Sequence, residues 1–240
     1  MPAVTLLRPG PSETRDVEAP DTREWLADLY SPSSPFLVRL NFVTSINGSA
    51  VGADGTSESL TSRTDRRILG VIRQHADVVL VGARTVRREG YLAPKHARLA
   101  VVTRSGDLSG HRLGDSFLRP IIVCPRSAVP RVEQQMRSAT VEILPLESEA
   151  LDPAEILAGL RDRGLPGVVC EGGPTLAAGL LDAGLVDELC LTTSPVLRAP
   201  GLPLFPQLTG APAATLRHLL ADDDGYLYAR WAIGKGQAAG

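Results

Sequence analysis

Four short apolar runs recur along the chain: DVVLVG (77–82), RLAVVT (98–103), RPIIVC (119–124) and VVCEGG (168–173). None alternates with polar residues as a strand wetted on one face must, so each reads as a strand covered on both faces. Helical signals fill the spaces between them. Ser62, followed three residues later by Asp65, has the form of a capping box, and Ile68, Leu69 and Ile72 then make one apolar face. ARTVRRE after Gly82 reads as helix, as do 130–137 and 152–163. The last has Asp152 at its cap, Pro153 in the first turn, Glu155 third and Gly164 just past the end. Strands alternating with helices argue an α/β fold, a mixed and mostly parallel sheet inside a three-layer α/β/α sandwich.

Three other segments complete the pattern. FLVRLNFV (36–43) alternates, with Val38, Leu40 and Phe42 on one side and Arg39 and Asn41 on the other, and it opens the domain proper. VDELCLTTSPVL (186–197) reads as a further strand after Gly184 ends a helix. TLRHLLA and YLYARWAI, joined by the turn DDDG, read as an antiparallel C-terminal hairpin at the sheet's edge. Residues 1–35 are rich in Pro, Ser, Thr and acid and read as an extension. It carries one short helix near Glu18–Tyr30, whose Trp25, Leu26, Leu29 and Tyr30 pack on the body or on a second subunit. No repeat, heptad or low-complexity linker divides the rest, so 36–240 reads as one domain.

Composition excludes several functions. With 240 residues, 43% of them hydrophobic, the chain can bury a large core. A net charge of -2 leaves no basic surplus to attract nucleic acid or an anionic membrane, and no apolar stretch reaches the roughly 20 residues of a membrane helix. Cys124, Cys170 and Cys190 lie far apart inside apolar runs, as buried thiols of a reducing cytoplasm do, and the N-terminus has no secretory signal pattern. His75, His96, His111 and His218 are scattered and read as surface or helix-end residues. With no CxxC or HExxH, no metal site is expected. Neither Lys95 nor Lys235 lies in a phosphate-loop motif, and no lysine is a candidate for Schiff-base chemistry.

In an open α/β sheet, ligands gather at the carboxyl ends of parallel strands, where helix N-termini present free N–H groups. Three junctions qualify: Val81-Gly82 into ARTV, Thr103-Arg104 into SGD, and Glu171-Gly172-Gly173 into Pro174-Thr175-Leu176. The last offers two glycines for close approach, a proline suited to a first helical turn, and a hydroxyl beside backbone donors, which together suit a phosphate. A tight turn with Glu171 at a solvated strand end accounts for the same residues. A GxGxxG dinucleotide fingerprint is absent.

TSINGSA (44–50), SLTSRTDRR (59–67), DVVLVGARTV (77–86), VVTRS (101–105) and VVCEGGPTLAAGLL (168–181), taken in order, resemble the reductase domain of the bifunctional riboflavin-pathway deaminase/reductase. The resemblance runs from about residue 36 to about residue 234. It implies a dihydrofolate reductase-like fold, NADPH as cofactor, a homodimer, and the activity of a 5-amino-6-(5-phosphoribosylamino)uracil reductase, which converts the ribosyl group to ribityl. By position it implies that Thr61, Asp65, Val81 and Gly82 line the NADPH site and that Glu171, Gly172, Gly173, Pro174 and Thr175 hold the nicotinamide half and its phosphates. Arg104 suits the adenosine 2′-phosphate by charge and position, although a surface arginine accounts for it equally well. Glu171 is the candidate to orient the carboxamide or assist proton transfer. Ser45, Asn47 and Arg84 are candidates for the substrate side, with Asn47 also counted among the catalytic residues.

Two departures qualify this expectation. The family's SLDG is here Ser45-Ile46-Asn47-Gly48, so a carboxylate has become an amide that can hydrogen-bond but cannot act as an acid. Its TVLADDP is here Thr85-Val86-Arg87-Arg88-Glu89-Gly90-Tyr91, without the acidic pair. The HxE and PCxxC of the deaminase are also absent, so reduction is expected without that partner activity. Two alternatives therefore stand beside the pyrimidine reductase: a dihydrofolate or dihydropterin reductase on the same fold, and an NADPH-binding protein without turnover.

Overall fold

The structure, a computed structural model, describes residues 2–89, 94–111, 113, 116, 118–137, 139–199 and 201–234; Gly90 and Tyr91 of the altered segment lie outside them. Among the described residues eleven strands and six α-helices follow one another as β1 (Ala3–Arg8), β2 (Glu13–Asp16), α1 (Pro20–Leu29), β3 (Val38–Ser45), α2 (Arg63–Gln74), β4 (Val78–Gly82), α3 (Ala83–Glu89), β5 (Arg98–Val102), β6 (Ile121–Pro125), α4 (Val129–Gln135), β7 (Glu142–Leu146), α5 (Pro153–Arg161), β8 (Val168–Gly172), α6 (Pro174–Asp182), β9 (Glu188–Ser194), β10 (Ala214–Asp222) and β11 (Leu227–Ile233). All join one sheet in the order β2-β1-β10-β11-β9-β3-β8-β4-β5-β6-β7. The six pairings from β9 to β7 are parallel and the four on the other side are antiparallel.

Successive side chains of a strand point to opposite faces, and β4 shows the consequence. Val79 and Val81 enter a core with Leu26 of α1, Ile68 and Ile72 of α2 and Val132 of α4. Val78 and Leu80 enter a second core with Ile156 and Leu160 of α5 and Ala177 and Leu180 of α6. These cores form the two interfaces of the three-layer sandwich. The capping signals act as the sequence suggests: Ser62 Oγ accepts from Asp65 N at 3.0 Å, Asp152 Oδ1 accepts from Ala154 N at 2.9 Å, and Gly164 takes a left-handed φ of 73° past α5.

The C-terminal hairpin is not at the sheet's edge. β1 pairs with β10, and β2 pairs with β1, so residues of the N-terminal extension cover the position expected to be free. The opposite edge is β7, which carries Pro145; an edge strand tolerates the ladder donor that proline removes.

His218 departs from the surface reading. It is buried on β10, edge-on to Tyr30 with ring centroids 4.7 Å apart, and burial lowers its pKa to about 4. The three cysteines are free and buried, as expected. Arg39 is buried too, because β3 is a central strand: its Nε and Nη2 donate to Glu188 Oε2 at 2.9 and 2.7 Å. Arg230 completes the cluster, donating to Glu188 and, through Nη2, to Ser31 O at 2.9 Å.

Candidate active site

A cleft of about 1190 Å³ opens over the carboxyl ends of β4, β5 and β8, where the parallel strands stop and α3 and α6 begin. Two glycines let its floor form. A Cβ on Gly82 would lie 3.3 Å from Gly173 N, so the ends of β4 and β8 approach backbone to backbone. Gly172 has φ 141°, a conformation that side-chain-bearing residues rarely adopt, and a Cβ there would also meet Thr85 Oγ1 at 3.3 Å. α6 then starts with no side chain capping it and with Pro174 in its first turn. Pro174 has no N–H and Leu176 N donates to Gly173 O at 3.0 Å, so the backbone donor that this first turn offers the cleft wall is that of Thr175, at the positive end of the helix dipole.

Two largely buried carboxyls with different surroundings line the cleft. Glu171 is gripped by Arg73, whose Nε and Nη2 donate to Oε1 and Oε2 at 2.7 and 2.6 Å. Such a bidentate pair fixes the orientation of the carboxylate. Asp65, only 8% exposed, accepts from Thr192 Oγ1 at 2.6 Å and has no ion-pair partner among the described residues. Burial pushes its pKa up to about 6; Thr192 and Arg66 work against that shift, and Glu171 and Glu58 add to it. At the rim, hydrogen bonds from Thr56 and Ser59 hold exposed Asp54 down at about 2.

The cleft's arginines are mostly occupied. Arg66 pairs with Glu58, Arg87 with Asp107, and Arg88 donates to Gly55 O at 3.0 Å. Arg104 reaches Ala150 O at a long 3.5 Å, and Arg84 is exposed with no hydrogen bond to a described residue. These last two are the guanidiniums most available to a bound anion.

Of the residues singled out in the sequence, Thr61, Asp65, Gly82, Arg84 and Arg104 stand in the cleft wall together with Glu171, Gly172, Gly173, Pro174 and Thr175. Val81 does not. It is fully buried in the core on the α2 side, and only Gly82 after it reaches the cleft. Ser45 and Asn47 are also placed elsewhere. Ser45 Oγ donates to Asn47 Oδ1 at 2.8 Å, while Asn47 Nδ2 donates to Arg198 O at 2.7 Å and Oδ1 accepts from Arg198 N at 3.0 Å. An amide can serve both backbone groups of Arg198 at once, which a carboxylate cannot. The amide in this turn thus fastens two loops rather than facing the cleft.

Arg73 and Thr192 were not legible as site residues. Asp65, Leu69 and Arg73 line the cleft at i, i+4 and i+8, a helical stripe that the apolar-face reading of Leu69 obscured. Thr192 carries no local signal; the pairing of β9 beside β3 brings it to α2. Among the described residues no group of His, Cys, Asp and Glu is placed to hold a metal ion, and no helix is long and apolar enough to cross a membrane.

Comparison with known proteins bears on the family and the fold. The chain is 32% identical over 186 residues to the riboflavin biosynthesis protein RibD of Mycobacterium tuberculosis, covering 75% of this chain and 48% of that protein. It therefore spans about half the length of that relative. It is 26% identical over 176 residues to the 2,5-diamino-6-ribosylamino-4(3H)-pyrimidinone 5′-phosphate reductase of Methanothermobacter thermautotrophicus, covering 68% of this chain and 79% of that one. In fold it resembles the crystal structure of a pyrimidine reductase-like protein from Corynebacterium diphtheriae, with a TM-score of 0.75 at 24% identity over 87% of this chain and 98% of that one. The RibD C-terminal domain matches residues 36–228, from just before β3 into β11, so the parallel strands and the whole cleft fall within the match, β1 and β2 lie outside it, and the chain belongs to that family.

Proposed function

We propose that the chain is an NADPH-dependent pyrimidine reductase that reduces the ribosyl group of a phosphorylated ribosylaminopyrimidine, such as 5-amino-6-(5-phosphoribosylamino)uracil, to ribityl. The observation that carries this reading is the strand-end cleft, with the Glu171-Gly172-Gly173 turn leading into the uncapped start of α6. The relatives' names, a riboflavin biosynthesis protein and a ribosylaminopyrimidinone phosphate reductase, support the substrate class.

The residues present fit the cofactor. The bare backbone at Gly82 and Gly172 admits a flat ring close to the strand ends, and the backbone N–H and hydroxyl of Thr175 at the start of α6 suit a phosphate. Arg84 and Arg104 are available to the additional 2′-phosphate, which favours NADPH over NADH. NADPH, when bound, supplies the hydride that reduces C1′. Glu171, fixed by Arg73, presents a carboxylate that accepts hydrogen bonds from an amide or a sugar hydroxyl, and Phe42, Leu176 and Leu202 supply apolar wall that excludes water.

The same reading takes residues 36–240 as the reductase domain and the chain as a cytoplasmic homodimer; exposed Ile46, Val196 and Leu197 form an apolar patch suited to a subunit contact. Sedimentation of the purified chain tests the dimer. The activity test mixes the chain with NADPH and follows cofactor oxidation against the ribosylaminouracil phosphate and dihydrofolate in parallel. Turnover on the ribosyl compound is expected. Turnover on dihydrofolate alone would move the assignment to a dihydropterin reductase, and NADPH binding without turnover to a binding protein.

A further inference from the structure

Opening of the ribosyl ring breaks the C1′–O bond, moves the amine proton to the released oxygen and gives a C1′=N imine; hydride addition to that carbon leaves an electron pair on nitrogen, and the reduction is complete only when a proton joins it. On the reductase reading, a side chain of the cleft provides that proton. Two largely buried carboxyls face the cleft, and their partners separate them. Glu171 has both oxygens engaged by the Arg73 guanidinium in a bidentate pair, which directs them at a cation. Asp65 sits at the start of α2, buried, with the neutral Thr192 hydroxyl on Oδ1 and no cation in ion-pair contact among the described residues.

We propose that Asp65, rather than Glu171, is the general acid of this cleft, donating its carboxyl proton to the substrate as the hydride arrives. In the step, the hydride forms the new C–H bond at C1′ and the C=N π pair moves to nitrogen. That pair takes the proton from the Asp65 carboxyl, whose O–H bond breaks to leave a carboxylate. Solvent entering the cleft returns a proton to Asp65 between turnovers, so each cycle consumes one NADPH and one proton.

The surroundings fit an acid that is protonated at mildly acidic pH and recharges readily. Glu58, from the 3-10 turn at 58–60, and Glu171, from β8, oppose ionisation of Asp65, while Arg66 on its own helix favours it. Tyr30, just past the end of α1, also lies close enough for its electrostatics to be felt, and burial keeps that phenol protonated. The balance leaves the carboxyl titrating near 6, where a general acid works most effectively close to neutrality. Thr192 is a positioning residue here, holding one oxygen so that the other is oriented.

The test compares the full chain with Asp65→Asn, Asp65→Glu and Thr192→Val. For the wild type, kcat should fall as pH rises through about 6, the limb set by the acid. Asp65→Asn should lose that limb and at least about 100-fold in kcat, with NADPH Kd within about threefold, while Asp65→Glu recovers part of the rate. Thr192→Val, which removes a bond that favours the carboxylate, should stay active with the limb moved to higher pH. Independently of turnover, carboxyl-carbon NMR should show one aspartate titrating near 6 in the wild type and absent in Asp65→Asn. A wild type that reduces the ribosyl substrate while Asp65→Asn matches its rate and pH profile would overturn this assignment alone. A wild type that turns over neither substrate would overturn the reductase reading and this assignment with it.

Discussion

Arg73 reaches from the last turn of α2 across the cleft and takes both oxygens of Glu171, 98 positions later in the chain, at 2.7 and 2.6 Å. The pair links the helix that carries Asp65 to the strand that leads into the two glycines, and the Glu171 side chain is only 6% exposed. Removing the cation strands a buried charge, which costs far more than the pair contributes as a pair. Arg73→Met should therefore lower stability by about 3 kcal/mol. It should also raise KM more than it lowers kcat, because the carboxylate loses its fixed orientation. Urea unfolding and steady-state kinetics check the two halves.

Asp65 makes the opposite prediction for stability. Its folded pKa, raised by burial from 3.8 to about 6, means the native state holds this proton more tightly than the unfolded chain does. The cost of burying the charge is absent below about pH 4, grows between about 4 and 6, and is fully present above. Asp65→Asn keeps an oxygen for Thr192 and removes that cost. The variant should gain up to about 3 kcal/mol over the wild type at pH 8 and nothing at pH 4. Thermal unfolding at the two pH values decides it: an equal shift at both would mean Asp65 is not the titrating group.

At the cleft floor the prediction concerns shape. Gly172→Ala places a Cβ at a φ of 141° and 3.3 Å from Thr85 Oγ1, and Gly82→Ala drives one toward Gly173 N. Strain of about 1–3 kcal/mol at the first site should appear chiefly as lost ligand affinity, because the start of α6 must shift to relieve it. NADPH titration should show Kd raised by at least about tenfold in Gly172→Ala. Binding unchanged in both variants would place the cofactor elsewhere.

How far the sequence could be read follows from what is local. β4, β5, β6 and β8 announce themselves because a strand covered on both faces must be apolar throughout, and the caps of α2 and α5 lie within three residues of the groups they satisfy. β7 passed unrecognised because Pro145 interrupts its pattern, and β1 and β2 because a Pro- and Ser-rich segment gives no reason to expect strands. The hairpin's place depended on those two strands, so missing them put it at the edge. In the cleft, the strand-end glycines were legible as a motif. The Arg73–Glu171 and Asp65–Thr192 contacts join elements 98 and 127 positions apart, and only tertiary packing creates them.

The buried Arg39–Glu188–Arg230 cluster separates two roles that a sequence places side by side. Burial works to raise the pKa of Glu188, but Arg230 and Arg39 prevail and hold it below the ordinary range, so its contribution to stability is lost as pH falls through that lowered value. Arg39 serves Glu188 alone among its described side-chain partners, whereas Arg230 also donates to the carbonyls of Leu29 and Ser31 at the end of α1. Arg39→Met should weaken the sheet centre and leave α1 docked. Arg230→Met removes both functions: it should cost more, at least about 3 kcal/mol, and free the α1–β3 connection. Limited proteolysis is the discriminating measurement, with early cleavage within 30–37 expected for Arg230→Met and not for Arg39→Met. Equal cleavage in both variants would mean that α1 is held by its apolar face, through Leu26 and Tyr30, and not by the Arg230 caps.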